Sequence, residues 1–170
     1  MRALAQLLAG DAAHVDGARA RPRPALAART RREVLEKIVF RGELARQWRD
    51  AKTKVEWLDT IPGGPGYSLR KLRYEALPGL WIPALLYVPE NISGKIPVHL
   101  AVNGHDKDGK AAPYKQLRCI NLAKRGIASL NVEWLGMGQL RTDGFVHARM
   151  NQLDLCGVSG LAPFYLSMSR

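Results

Sequence analysis

Cysteine is nearly absent. Cys119 and Cys156 are the two thiols in 170 residues, and they form no Cys-x-x-Cys pair. Without that pair both read as plain buried thiols, and no histidine is spaced to activate either as a nucleophile. Long apolar runs are missing too: no stretch of 18 apolar residues occurs, which excludes a transmembrane helix of ordinary length. Residues 1–10 hold one charge and a short apolar patch, too thin for the core of a signal peptide. With Met1 as the true start, the default compartment is the cytoplasm. Acidic residues are scarce, 15 against 26 Lys and Arg, for a net charge of +11. Of that excess, +7 falls in residues 1–54. No aromatic residue stands among Arg19, Arg21, Arg23 and Arg29, so the basic stretch has nothing to stack on bases. No zinc-finger, RRM or helix-turn-helix pattern appears either, and a nucleic-acid partner is not expected. Residues 1–30 read as a flexible, solvated, Ala/Arg/Pro-rich basic leader.

What the chain does contain is a core. With 46% hydrophobic residues it suffices for about one domain. Its organising stretch is 96–109. Residues 96–102 are apolar and rich in β-branched side chains, which reads as a buried strand, and Asn103-Gly104-His105-Asp106 follows as a loop. Residues 113–125 carry helical spacing, and 127–132 form a second apolar run. Strand, loop, helix and strand within so few residues make a βαβ unit and imply parallel pairing. Chemistry in such sheets collects at the carboxyl ends of the strands, which is where residues 103–106 lie.

Upstream, Thr30 and Glu33 are spaced as a capping box. Val34, Leu35, Ile38, Val39 and Leu44 then recur at helical spacing, predicting an amphipathic packing helix over 31–50. Residues 54–61 suggest a strand with Val55, Trp57 and Leu58 turned inward, ended by Pro62-Gly63-Gly64-Pro65-Gly66. Residues 67–77 alternate, Pro78-Gly79 turns the chain, and 80–88 return, which predicts an antiparallel hairpin. A hairpin feeding a βαβ unit gives a mixed sheet of the α/β class.

Three runs of residues carry a resemblance. They are Trp81-Ile82-Pro83-Ala84-Leu85-Leu86-Tyr87-Val88-Pro89, Val98-His99-Leu100-Ala101-Val102-Asn103-Gly104-His105 and Glu133-Trp134-Leu135-Gly136-Met137-Gly138-Gln139. Together with residues 153–170 they resemble the amino-terminal part of the α/β-hydrolase superfamily, and within it the acetyl xylan esterase-like group, over roughly residues 54–170. The resemblance implies an incomplete α/β-hydrolase domain and a carboxylic-ester hydrolase acting through a serine acyl-enzyme. It implies no cofactor and no metal. The expected substrate is a small ester or an acetylated carbohydrate.

The catalytic triad is not visible. Gly157-Val158-Ser159-Gly160-Leu161 approaches G-x-S-x-G, but its second glycine comes one residue early. Ser159 therefore reads as a loop or helix-start serine, and the resemblance puts the nucleophile elbow beyond Arg170. No catalytic residue is expected within the chain. The resemblance does assign an oxyanion-hole loop, Gly104, His105 and Asp106, with the His105 amide as donor. Asn103, Trp134 and Gly136 are candidates for the pocket wall. An Asn-Gly turn without chemistry explains the same residues.

His105, Asp106 and Asp108 have no further ligand spaced to make a metal site. The run 106–110 lacks the later glutamate of an EF-hand and the Ser/Thr of a P-loop, so it reads as a solvated turn. His99 reads as a satisfied structural histidine, His147 shows no partner, and Arg141, Asp143 and Arg149 read as surface charges. Two functions from different classes stand: a partial ester hydrolase, and a catalytically silent binding or interaction module on that fold. The oligomeric state is open.

Overall fold

A computed structural model describes residues 24–145 and 147–170. Most of the predicted leader lies outside the described residues. The chain divides into two compact units at Val34/Leu35.

In the first unit the described element is helix α1, Pro24–Val34. Proline suits a first helical position, where its missing N–H would have had no partner. Thr30, expected as a cap, is instead inside α1, and Arg29 reaches Glu33 one turn on at 3.9 Å. The second unit opens with a π-helical turn, Leu35–Val39, followed by helix α2, Glu43–Asp50. The single helix predicted over 31–50 is thus broken. Gly42 has φ +91°, and a Cβ there would stand 2.3 Å from the Gly157 carbonyl oxygen. A distant backbone packs where a helical side chain would project. The apolar residues Val39, Phe40 and Ala45 pack with Val158, Ala162 and Leu166.

Five strands follow: β1 Val55–Pro62, β2 Tyr67–Leu77, β3 Leu80–Pro89, β4 Val98–Ala101 and β5 Ala128–Val132. Helix α3, Pro113–Ala123, joins β4 to β5, and helix α4 spans Leu161–Ser169. The sheet order is β1-β2-β3-β5-β4. β1, β2 and β3 pair antiparallel in sequence, β3 is antiparallel to β5, and β5 is parallel to β4. The mixed sheet expected from the sequence is what the chain builds. The hairpin between β2 and β3 turns at Gly79 with φ +86°, a conformation glycine adopts without a Cβ penalty.

Alternation sorts the sheet into two faces. Leu72, Tyr74, Ile82, Ala84 and Val132 share one buried cluster, against which Phe164 and Met168 of α4 pack. Full burial of a side chain such as Ile82 stabilises the fold by about 1.5–3 kcal/mol. The Tyr74 hydroxyl donates to the Ser167 carbonyl. Tyr87, Ala101, Cys119 and Ala123 make the cluster beneath α3.

Several sequence expectations change here. The strand expected to be buried over 96–102 is an edge strand, bonded on one side to β5 among the described residues. Val98, Leu100 and Val102 are consequently exposed. β1 is the other edge, so Val55, Trp57 and Leu58 face solvent, and the Arg70 guanidinium lies over the Trp57 ring at 4.3 Å. His99 is not satisfied: its Nε2 is buried without a protein partner, as are the hydroxyls of Ser129 and Tyr87. These three residues stand in register across β4, β5 and β3, beneath the Cys119 side of α3. Burial pushes the Tyr87 hydroxyl up to about 12. Cys119 is buried as expected, whereas Cys156 is exposed on the 3-10 segment His147–Cys156.

Candidate functional site

The carboxyl ends of β4 and β5 project two loops, residues 102–108 and 133–139. Asn103 ties the first to the second. Its side-chain amide donates to Asn131 Oδ1 at 2.6 Å and to the Val132 carbonyl at 2.7 Å. Its own oxygen accepts from Arg118 at 3.3 Å. Asn103 is 3% exposed, so it acts as a buried bracket that carries the next three residues to the surface. Gly104 and His105 are exposed and Asp106 half-buried.

Two lysines that a sequence reader assigns to solvent hold this edge together. Lys110 and Glu133 form an ion pair at 2.9 Å with side chains 8% and 1% exposed. Glu133 also accepts from the Lys110 amide at 2.8 Å and the Gln139 amide at 3.2 Å. Gln139 Oε1 takes a further hydrogen bond from the Lys110 ammonium. Glycine makes room for that carboxylate. A Cβ on Gly109 (φ +56°) would lie 1.9 Å from Glu133 Oε1, and one on Gly138 (φ +48°) 2.6 Å from Oε2. The expected solvated turn over 106–110 is therefore corrected: its last residue is locked into the interior by a full charge pair, which fixes the turn.

Lys115, in the first turn of α3, is 1% exposed and forms no ion pair among the described residues. A cation there opposes the helix macrodipole, so carbonyl oxygens must hold it. Its ammonium donates to the Gly109 carbonyl at 3.0 Å and the Gly104 carbonyl at 3.4 Å. The second bond has a geometric consequence. Gly104 C=O and His105 N–H belong to one peptide plane, and no peptide bond among the described residues is cis. The C=O and N–H bonds of that plane then point in opposite directions. Turning the carbonyl toward Lys115 turns the His105 amide the opposite way. That amide, and those of Gly104 and Asp106, donate to no group among the described residues.

Beside this loop a cavity of about 440 Å³ opens, lined by residues of both loops and the segment after them, among them His105, Lys107, Gly136, Arg141, Phe145 and His147. His147, expected to lack a partner, has several. Its Nδ1 lies 3.0 Å from the Leu135 carbonyl, which can accept only, so Nδ1 carries the hydrogen. The ring meets His105 edge-on at 4.2 Å, Phe164 at 4.6 Å and Trp134 at 5.9 Å. Trp134 stacks on Phe164 at 5.1 Å, and its indole N–H is buried without a partner. Gly136, at φ +77°, lets Phe145 and His147 close against the loop, since a Cβ would meet the Phe145 ring at 2.9 Å.

Of the residues singled out from sequence, the structure gathers Asn103, Gly104, His105, Asp106, Trp134 and Gly136 at one edge. Ser159 lies elsewhere. It is 3% exposed, between a 3-10 segment and α4, with its amide on the Arg41 carbonyl at 3.2 Å. It is no strand-to-helix elbow. Lys110, Lys115, Glu133 and His147 were missed as site residues. The one available signal was Glu133 itself, an acid at the end of an apolar strand, where an unpaired charge is costly.

No protein-family model matches the chain, and no curated protein matches it in sequence. Solved structures do share its fold. A Bacteroides fragilis protein assigned to the acetyl xylan esterases matches 74% of this chain and 38% of its own, with a TM-score of 0.58 at 20% identity. Acetyl xylan esterase 1 of Thermoanaerobacterium sp. JW/SL YS485 matches over 72% of this chain and 40% of its own, with a TM-score of 0.55 at 14% identity. A methylesterase matches 67% of this chain and 24% of its own, with a TM-score of 0.53 at 24% identity. The chain thus spans between about a quarter and two-fifths of the length of these neighbours. At such identities the likeness is one of fold: the five-stranded mixed sheet and its helices match part of the fold of these esterases.

Proposed function

We propose that these 170 residues furnish the oxyanion loop and part of the pocket of a carboxylic-ester hydrolase. The nucleophile, acid and histidine would come from sequence following Arg170. The observation that carries this reading is the Lys115–Gly104 hydrogen bond, because it turns the His105 amide away from the protein interior. In acyl transfer the tetrahedral intermediate places negative charge on the former carbonyl oxygen. An amide pre-aimed at that oxygen stabilises it without reorganising, and a lost donor costs about 3 kcal/mol of the barrier. Gly104 suits the role, since no atom stands within 4 Å of where its Cβ would be. A carbonyl oxygen can approach that backbone closely. The substrate in this reading is a small ester or an acetylated carbohydrate, attacked by serine to give an acyl-enzyme that water then releases.

For the 170 residues by themselves, the burial of Ser159 favours a second reading, binding without turnover. One experiment separates the two. The reading frame past the codon for Arg170 is translated, and the longer protein is treated with a fluorophosphonate probe. A G-x-S-x-G segment with a later acid and histidine, and a labelled serine, supports the hydrolase. A stop codon at that point, with the chain unreactive, leaves the binding module.

A further inference from the structure

The cavity beside the oxyanion loop has an excess of donors over acceptors. Lys107 and Arg141 both line it, and neither forms an ion pair among the described residues. His147 points Nδ1–H at the Leu135 carbonyl, which leaves Nε2 available as acceptor or, once protonated, as donor. The one acid in the lining, Asp106, has an oxygen already engaged, accepting the Asp108 amide at 3.0 Å. The walls between the cations are apolar, Met137 and Phe145 with the two imidazole rings. Gly136 is the residue that allows this wall to close, as its missing Cβ would strike Phe145. Two cations without ion-pair partners, lining a partly apolar cavity, match an organic anion better than a neutral sugar or a bare inorganic ion.

We propose that this cavity takes the carboxylate of an organic acid, held between Arg141 and Lys107 with the His105–His147 pair against its carbon frame. The inference rests on the ester-hydrolase reading in one respect: it names the substrate class as an ester whose acyl or alcohol part also carries a free carboxylate. Binding itself does not depend on turnover, so the two readings fail separately.

The test uses the full 170-residue chain and three probes, D-glucuronate, D-glucose and inorganic phosphate, each titrated while histidine ring and arginine side-chain NMR signals are followed. Glucuronate is expected to shift His105, His147 and Arg141 saturably, with glucose at least tenfold weaker. Arg141→Ala is expected to weaken glucuronate about tenfold, the loss of one charge-assisted contact, while Arg149→Ala leaves it unchanged. Arg141 and Arg149 are both exposed, so neither change threatens the fold. Equal binding of glucose would overturn the proposal, as would no binding of glucuronate or an Arg141→Ala chain that binds it normally. Phosphate binding as tightly as glucuronate would also overturn it, leaving a simple anion site. If the longer protein hydrolyses neutral esters while glucuronate fails to bind, the hydrolase stands and the carboxylate inference falls.

Discussion

At the carboxyl ends of β4 and β5 the chain buries Lys110, Lys115 and Glu133 to between 1% and 6% exposure. Along β4 itself it leaves Val98 67% and Leu100 41% exposed. The usual preference for apolar residues inside and charges outside is reversed at this margin of the sheet. Leu100 is in register with Leu130, and Leu130 with Leu86, so the half-open patch is a row across the sheet rather than a scatter of side chains. Burying a charge costs several kcal/mol unless its partners are in place, and a well-packed apolar pair would do as well for stability. The buried charges instead fix geometry. Asn103, Gly104, Gly109 and Lys110 of the 102–110 loop are tied to β5 or α3. In the row, Leu86 and Leu130 pack against the core cluster of Leu72, Ile82 and Val132, while Leu100 at the edge does not.

Substitutions on both sides test this contrast. The largest effect is expected at Glu133. Glu133→Ala strands the Lys110 ammonium in the interior and should lower unfolding free energy by about 3–5 kcal/mol in urea denaturation. A paired change, Lys110→Met with Glu133→Leu, should recover most of that loss. If it does not, the pair contributes to stability itself and not merely to geometry. Next comes Asn103→Ala, which removes a buried amide with two short hydrogen bonds and should cost about 1–3 kcal/mol. Lys115→Met belongs with it but is read differently. It keeps the side-chain length and frees the Gly104 carbonyl, so the His105 amide resonance should shift and broaden. In a longer, active protein, turnover should fall by roughly a hundredfold, because a misplaced donor is nearly a lost one.

A smaller effect is expected at Glu75, on the turn side of the β2–β3 hairpin. The Gly79 amide and then the Lys54 ammonium hold its carboxyl below the ordinary value of 4.5. A group lowered on folding stabilises the fold above its unfolded value, and that contribution disappears as pH falls through the folded value. The gap in melting temperature between the wild-type chain and Glu75→Gln should therefore be full at pH 7 and close below about pH 4.5. The smallest effect belongs to the open row. Leu100→Lys should change stability by no more than about 0.5 kcal/mol while suppressing any self-association seen by sedimentation. A large loss of stability would mean that the row is packed after all.

Local pattern made much of the fold legible. The hairpin showed itself in the alternation of Leu72 and Tyr74 with Lys71 and Arg73, and the βαβ unit in the spacing from Val98 to Val132. Which strands would be edges was not legible, because edge position depends on the order in which strands assemble in space. Trp57 and Val98 carry core-type side chains yet sit at the two margins. Gly42 was hidden for a related reason. Its meaning comes from the Gly157 carbonyl, 115 positions away in the chain. The site edge divides the same way. Asn103 to Asp106 followed from a loop after a strand, whereas Lys110 with Glu133, and His105 with His147, meet only through tertiary approach. Nothing in a lysine's local neighbourhood announces that it will be buried.

The strand order also dictates a schedule of assembly. β1, β2 and β3 are joined by short turns and can zip together as they are made. β4 comes next in the chain but has its ladder on β5, which is made later and must itself slot beside β3. Until β5 arrives, β4 has no seat, and closing that connection carries an entropic cost before any contact rewards it. The step that docks β5 therefore commits the chain, since it seats both neighbours at once and brings Glu133 to Lys110. Mutations in β5 should slow refolding, whereas changes in β1 should mainly speed unfolding.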